Sequence, residues 1–384
     1  MFGVVNPVKT KVLLALSLLS IAVVTLLAIQ LLLYYFAPGY VAPFGIFRFM
    51  WLWWLVDVLG YVIAIVTLVL SGVILGRFIE KRVPADMDAL RASMISTAAA
   101  VIGGVVLVFG LVSYLLGEEL TISLASIAFL FAVIPSIVTW LFSPFLVNAF
   151  YGCRYDPELQ KLVNEVAGRA GIKPPKAMRS SMAVPNAFAY SSPIAGRFIA
   201  VTDGLLRTLR NEEELKAVIG HELGHHKHRD NSVMMVFGIL PTVIYYMGRF
   251  LLYIGLYAGR YADGSRRRNG SSGLLLVAVG GVVMALSILI QFAVLALSRL
   301  REFYADAHGA KVTSPFAMIG ALKSLDGFYK RFGKSTIANS RLKTLFIYAF
   351  TEPFIGLEEL LSTHPPVWKR IAFLETLLGK EIRA

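Results

Sequence analysis

Charged residues are scarce in this chain, and this is the first constraint on what it can be. Only 16% of its 384 residues are charged and 57% are hydrophobic, whereas soluble proteins average about 25% charged residues. A chain of this composition needs an apolar solvent for much of its surface, so an ordinary soluble protein is excluded. The composition therefore predicts an integral membrane protein.

Cysteine is nearly absent as well. The one cysteine, Cys153, excludes an internal disulfide and favours a reducing compartment. With no partner in the chain, it is expected to be a small buried thiol beside a membrane helix.

The sequence also lacks a basic and aromatic module of the kind that reads nucleic acid. A formal net charge of +13 would suit nucleic-acid binding, but neither a recognition helix nor a ribonucleoprotein motif is found. Cytoplasmic segments of membrane proteins are rich in Lys and Arg, and this explains the sign of the charge more simply. We therefore expect a lipid bilayer, and no nucleic acid, as a partner.

Six apolar segments are long enough to cross a bilayer, which takes about 20 residues. Two of them contain a charge: Asp57 is expected to reach the membrane interface, and Arg249 to bend its helix or line a polar cavity. The predicted fold class is a predominantly α integral membrane protein with about six transmembrane helices. The predicted spans are residues 12–36, 51–76, 94–116, 122–149, 232–258 and 273–297.

A water-exposed region begins where the fourth span ends. Residues 151–231 contain twelve Lys or Arg residues and regular helix punctuation. Asp156 and Asn211 each predict the start of a helix, and short strands are expected within residues 176–202. The chain is predicted to divide into four transmembrane helices (1–150), a cytoplasmic catalytic region (151–231), a transmembrane hairpin (232–298) and a C-terminal catalytic region (299–384).

The sequence His221-Glu222-Leu223-Gly224-His225 is an H-E-x-x-H motif. On a helix, positions i and i+4 project from one face, so both imidazoles can bind one metal ion. Two neutral imidazoles suit zinc, which lowers the pKa of a bound water toward about 7. Glu222 would accept the proton of that water as it attacks a peptide carbonyl, and pass it to the leaving amine. The motif predicts one catalytic Zn²⁺ per chain.

The same region admits a simpler interpretation, a polar helix end that decorates a membrane surface with His221, His225, His226 and His228. The position of the motif favours metal binding, because it lies at the end of a capped helix immediately before a predicted span. A metal ion there would be presented to the face of the bilayer.

A catalytic zinc needs a third protein ligand, and the segment after the last span supplies a candidate. Glu302 and Asp306 are spaced i, i+4 and lie on the same side of the membrane as His225, because two spans separate them. Glu302 is predicted to bind the metal, and Asp306 to accept a hydrogen bond from a ligating histidine. The alternative is a charged juxtamembrane helix in which Arg299 or Arg301 pairs with these carboxylates.

Three elements together resemble the HtpX family of membrane metallopeptidases, which are gluzincins related to the type I CAAX prenyl protease. They are the H-E-x-x-H motif followed by Asp230, the S-R-x-x-E-F-Y-A-D segment at 298–306 and the late segment His364–Arg370. The resemblance covers about residues 150–384 and implies a zincin-like catalytic domain with a small β element. Residues 1–150 match only as membrane helices, and their four spans exceed the two expected of bacterial HtpX.

The resemblance assigns roles to the central residues. It makes His221, His225 and Glu302 the zinc ligands, Glu222 the general base and Asp306 the support of a ligating histidine.

It also implies a binding site for the substrate backbone. The segment Asn186-Ala187-Phe188-Ala189 resembles a gluzincin edge strand that pairs with an extended substrate. Asn186 would contact a substrate amide, and Phe188 belongs to the same binding strand. An ordinary turn after Pro185 is the alternative.

The late segment resembles the H-P-x-x-x-x-R element of the family. This implies that His364 and Arg370 stabilise the oxyanion or brace the site, whereas the alternative is an ordinary helix start. His226 and His228 match no ligand position and are expected to face solvent.

By resemblance, the activity is endoproteolysis in quality control, with misfolded or damaged membrane proteins or unfolded polypeptides as substrates. Two alternatives stay open: a processing protease for specific, lipidated substrates, and a non-catalytic membrane protein with a structural zinc site. The intact Glu222 argues against the latter, because a structural site needs no base. The sequence does not indicate an oligomeric state.

The early loops place the catalytic site on the cytoplasmic face of the cell membrane in a multi-pass protein. The first spans usually dominate the orientation; they put the N-terminus and the loop at residues 77–93 inside, and four spans then return the chain to the inside. The cluster at residues 266–268 opposes this assignment, because it would then lie outside.

Overall fold

The fold is predominantly helical. The computed structural model describes residues 54–63, 66–67, 83–261, 270–338 and 364–378. The helices are α1 (Trp54–Ile63), α2 (Met87–Leu116), α3 (Glu118–Tyr151), α4 (Pro157–Ala170), α5 (Asp203–Thr208), α6 (Glu212–Lys227), α7 (Asp230–Tyr261), α8 (Gly270–Val312), α9 (Pro315–Ala338) and α10 (Val367–Thr376).

Four of the described helices are long and apolar enough to cross a membrane. They are Met87–Leu116, Glu118–Tyr151, Asp230–Tyr257 and Gly273–Val312, and each covers all or nearly all of one predicted span. The predicted span 12–36 lies outside the described residues, and 51–76 is described only in part, as the apolar helix α1. The count of six spans therefore stays a prediction.

Two helix boundaries differ from those expected. The predicted loop between the third and fourth spans reduces to Gly117, whose φ of 88° turns the chain, and Glu118 already begins α3. The acidic residues favour this start, because carboxylates stabilise a helix N-terminus. At the other boundary, α8 does not end near residue 297 but continues without a break to Val312. The last apolar segment and the predicted ligand segment are thus one helix.

A four-stranded sheet forms the β element between α3 and α6. Its strands are β1 (Arg154–Tyr155), β2 (Lys176–Ser180), β3 (Ala187–Ser192) and β4 (Gly196–Thr202), in the spatial order β1-β2-β4-β3. β2 and β4 are parallel and the other pairs antiparallel. The strands expected within residues 176–202 are confirmed, and β3 lies at an edge of the sheet.

The predicted helix starts are confirmed by their hydrogen bonds. The Asp156 carboxylate accepts from the amides of Glu158 and Leu159 at 2.9 and 3.0 Å. The Asn211 side chain accepts from the amide of Glu214 at 2.9 Å. Glu214 returns its carboxylate to the amide of Arg210, not to that of Asn211 itself. Both helices therefore have a fixed N-terminus.

One hydrophobic core joins the sheet to the helix of the motif. Val163 of α4, Ile199 of β4, Leu205 of α5 and Ile219 of α6 are all fully buried in the same cluster. Because Ile219 lies two residues before His221, this packing fixes the helix that carries the first predicted ligand.

Two compact units are distinguished by their internal packing: Met1–Ile63 with Arg249–Gly281, and Ala64–Gly248 with Val282–Ala384. Within the first, Arg249 Nη2 lies 2.8 Å from Asp57 Oδ1. The charged residues of two predicted spans thus form an ion pair, and each charge is compensated by the other in an apolar setting.

We predict that Asp156→Ala lowers the free energy of unfolding by about 1 kcal/mol, the usual cost of a lost N-cap. Asp156→Asn is the matched control, because asparagine caps about as well as aspartate. Thermal unfolding in detergent measures both. Equal destabilisation by the two variants would assign the effect to the charge of Asp156, which also lies 3.5 Å from Arg179.

Candidate metal centre

The predicted ligands come together between α6 and α8. On α6, the Nε2 atoms of His221 and His225 are 3.2 Å apart. From α8, Glu302 places Oε1 3.4 Å from His225 Nε2 and Oε2 3.7 Å from His221 Nε2. One ligand atom from each residue lies within 4.8 Å of the other two.

Carboxylates fix the tautomer of both histidines. His221 Nδ1 lies 2.9 Å from Asp306 Oδ1, and His225 Nδ1 lies 2.7 Å from Asp230 Oδ2. Because a carboxylate can only accept, each Nδ1 carries the hydrogen, and each Nε2 then presents a lone pair. The protonation follows from these partners.

Three acceptors therefore converge without a hydrogen among them. Two imidazole lone pairs and a carboxylate repel one another at this distance unless a cation lies between them. Zinc bound tetrahedrally at about 2.0–2.1 Å needs ligand atoms roughly 3.3 Å apart. The two nitrogens are 3.2 Å apart, and each lies near a different oxygen of Glu302, at 3.4 and 3.7 Å, which is close to that requirement. The donor set fits zinc.

Glycines allow α6 and α8 to approach closely. A Cβ on Gly309 would lie 2.8 Å from the Ala217 carbonyl oxygen and 3.1 Å from the His221 amide. A Cβ on Gly224, within the motif, would lie 3.1 Å from His308. These contacts set the spacing between the helix with two histidines and the helix with Glu302.

Arg370 braces the carboxylate that holds His221. Its Nε and Nη2 donate to Asp306 at 2.7 and 2.5 Å, in a bidentate arrangement. Asp306 is fully buried, so its charge requires this partner. A helix does start in this segment, at Val367 after Pro366, but Arg370 is not on its exposed side, as the alternative required: its side chain is 13% exposed and donates to Asp306.

His364 lies on the open side of the centre. Its Nδ1 is 2.8 Å from Glu302 Oε2, and the carboxylate raises the pKa of the imidazole. Among the described residues, this buried Oε2 makes no aligned hydrogen bond, which leaves its lone pairs for a cation. The side chain of His364 is 56% exposed.

The alternative pairing of the juxtamembrane arginines is wrong for Arg301. Arg301 pairs with Asp230, not with Glu302 or Asp306, and it donates to the carbonyl of His228 at 2.9 Å. Glu302 and Asp306 instead face the histidines of α6.

Glu222 follows His221 on α6 and is buried, with 7% exposed. Within the described part of the chain, its carboxylate forms no hydrogen bond or ion pair. A carboxylate in this state keeps its lone pairs available for a proton.

The predicted binding strand is β3 with the residue before it. The Asn186 carbonyl accepts from the Thr202 amide of β4, so alternate residues from Asn186 onward pair with β4. Ala187 and Ala189 consequently direct their amide and carbonyl groups to the free edge. Asn231 of α7 donates to the carbonyl of Ser191 and closes that edge at its end.

Phe188 contributes a side chain rather than a free backbone group. Its ring packs 4.8 Å from that of Tyr151 and 5.6 Å from that of Tyr190, measured between centroids. It is half-buried. The substrate-binding roles of Asn186 and Phe188 stay predictions.

The expectation that His226 and His228 face solvent is wrong. His226 is buried, with Nε2 2.8 Å from the Phe198 carbonyl oxygen, and burial lowers its pKa to about 4. The ring of His228 packs 4.4 Å from that of Tyr304, and burial lowers its pKa to about 3. His226 joins α6 to the sheet, a role that motif spacing alone does not indicate.

Fold and site together are those of a metallopeptidase carried on membrane helices. Residues 154–378 match Peptidase family M48, and the chain belongs to that family as an HtpX-like zinc metallopeptidase. It is 43% identical over 269 residues to the Protease HtpX homolog of Archaeoglobus fulgidus. That match covers 65% of this chain and 76% of that protein. It is 41% identical over 302 residues to the Protease HtpX homolog of Pyrobaculum calidifontis, covering 71% and 85%.

Among solved structures, the chain is similar to the crystal structure of S. mikatae Ste24p. The match has a TM-score of 0.46 at 20% sequence identity. It covers 74% of this chain and 65% of that one.

We predict that Gly309→Ala impairs the centre by forcing α6 and α8 apart. The methyl group would meet backbone atoms that cannot rotate away, and a displacement of about 1 Å costs roughly 100-fold in activity. Gly168→Ala is the control, because nothing lies within 4 Å of its Cβ. Peptidase activity and zinc content are measured together. Wild-type values for Gly309→Ala would show that the helix spacing does not control the centre.

Proposed function

We propose that this membrane metalloprotease is a zinc endopeptidase that cleaves misfolded or damaged membrane proteins at the cytoplasmic face of the cell membrane. The observation that carries the proposal is the convergence of three acceptor atoms, from His221, His225 and Glu302, with no hydrogen among them. A cation bound between these atoms removes the repulsion among them.

His221, His225 and Glu302 hold the ion in this proposal. Zinc supplies Lewis acidity and lowers the pKa of a coordinated water toward about 7. Glu222 accepts the proton of the attacking water and delivers it to the leaving amine. Arg370 keeps Asp306 ionised and aimed at His221.

His364 completes the catalytic residues. It lies beside Glu302 with most of its side chain exposed, where it can donate a hydrogen bond to the oxygen of the peptide carbonyl as charge develops there. Arg370, 3.8 Å from Glu302 Oε2, adds positive charge on the same side.

The free edge of β3 supports a sequence-tolerant mode of binding. An extended substrate can pair with the backbone of Ala187 and Ala189, while Asn186 contacts a substrate amide. Backbone pairing reads no side chain, so any unfolded segment qualifies. This suits a protease that acts on damaged proteins of many sequences.

We predict that Glu222→Gln abolishes cleavage and retains about one zinc per chain, because it removes the base without removing a ligand. Glu158→Gln is the control, since the Glu158 side chain is 80% exposed on α4. Cleavage of an unfolded, unlipidated protein is compared with that of a peptide carrying a prenyl group. Appreciable proteolysis by Glu222→Gln would remove the residue from this role, and cleavage of the prenylated peptide alone would favour a processing protease.

The orientation is tested by cysteine labelling in a Cys153→Ser background. Exposed positions are required, and Ser181 and Glu119 are both exposed. We predict that a cysteine replacing Glu119, in the turn after α2, reacts with an impermeant reagent in intact cells. A cysteine replacing Ser181 should react only after lysis. The reverse pattern would place the active site outside and leave the zinc chemistry unaffected.

A further inference from the structure

We infer that Arg301 is a positioning residue for the zinc centre, acting through Asp230 on His225. This inference rests on the zinc site of the proposed function. Arg301, Asp230 and the His228 carbonyl form what we call the clamp. It contacts His225, whereas Arg370 and Asp306 contact His221.

The clamp occupies both oxygens of one carboxylate. Arg301 Nη2 donates to Asp230 Oδ1, and Asp230 Oδ2 lies 2.7 Å from His225 Nδ1. The guanidinium therefore fixes the rotation of the carboxylate, and the carboxylate fixes the ring and tautomer of His225. The side chains of Arg301 and Asp230 are only 12% and 10% exposed, so water competes little for these bonds.

The same guanidinium binds the end of the catalytic helix. The His228 carbonyl, which ends α6, accepts from Arg301 Nη2 at 2.9 Å. A cation at this position stabilises the helix C-terminus. Arg301 precedes Glu302 on α8. The same helix therefore supplies one predicted ligand, Glu302, and the residue that braces another, His225.

The turn under the clamp is strained. Arg229, between His228 and Asp230, has a φ of 53°, which side chains other than glycine rarely adopt. Such a conformation is unfavourable and persists only where its surroundings enforce it. Arg301 contacts the residue on each side of Arg229, and it thereby holds Asp230 where His225 can reach it.

Arg301→Lys tests geometry separately from charge. Lysine keeps the positive charge but lacks the planar guanidinium, whose Nη2 donates to both acceptors; its ammonium group stands on a flexible stem and is not held in that position. We expect the variant to bind zinc about 10-fold more weakly, at the low end of the roughly 10–100-fold range for residues that support ligands. Zinc affinity is measured on the full-length protein in detergent by competition with a chromophoric chelator. Unchanged affinity would overturn the inference.

Arg207→Lys is the matched control, because Arg207 is exposed on α5. The absorption spectrum of the Co²⁺-loaded protein provides a second readout, since it reports the geometry of the ligands. The spectrum should change in Arg301→Lys and stay unchanged in Arg207→Lys. An unchanged spectrum in both would also overturn the inference.

A double-mutant cycle shows whether Arg301 acts through Asp230. Asp230→Asn should weaken zinc binding by about 10–100-fold. In that background, Arg301→Lys should change the affinity by less than about twofold, because the two residues act as one unit. Additive losses would mean that Arg301 acts by another route and would overturn the inference.

If Arg301→Lys fails to fold, Asp230→Glu tests the alignment of the carboxylate with His225 without a change at Arg301. The longer side chain keeps the charge but displaces the oxygen from His225, so zinc affinity should fall by about 10-fold. Wild-type affinity in this variant would overturn the clamp. Failure of the wild-type protein to take up zinc would instead contradict the proposed function itself.

Discussion

The repulsion among three electron pairs is the interaction on which the rest of the catalytic region depends. Two imidazole nitrogens and a carboxylate lie 3.2 to 3.7 Å apart with no hydrogen to share. Bringing them together costs free energy that packing must offset until a cation binds. The buried contacts of α6 and α8, through Gly224 and Gly309, supply that constraint.

Charge balance explains the residues around these atoms. Four carboxylates, from Glu222, Asp230, Glu302 and Asp306, are buried in one small region. Two arginines offset two of these charges by pairing with Asp306 and Asp230. In the proposed function, one divalent cation offsets the other two. Each histidine is thus held by an aspartate, and each aspartate by an arginine, on two sides of the centre.

The local signals that the sequence carries were sufficient for most of the fold. Caps at Asp156 and Asn211 and the strands within residues 176–202 follow from short-range chemistry, and the structure has them. The predicted apolar segment ends at residue 297, where hydropathy falls, whereas α8 continues to Val312 because helix propensity does not fall there. A fall in hydropathy marks the limit of the apolar segment and not the end of a helix.

The centre could be predicted only where its residues follow a fixed spacing. The i, i+4 pairs on α6 and α8 gave the residues that the structure brings together. The pairing of Arg301 with Asp230 was not predicted and His226 was expected in water, because both contacts depend on how α6 packs against other elements. Asp230 offered one usable signal, since an acidic residue soon after an H-E-x-x-H motif is close enough to reach the second histidine.

The continuity of α8 fixes the distance between Glu302 and the apolar segment of the same helix. Glu302 lies five residues beyond the predicted apolar segment, and at about 1.5 Å per residue this is roughly 7 Å along the helix axis. No proline interrupts residues 282–312, so the distance of Glu302 from the apolar segment is set by the helix itself. In the proposed function, a substrate anchored in the same bilayer is cut at a fixed distance from its own span, and depth decides the position of the cut before sequence does.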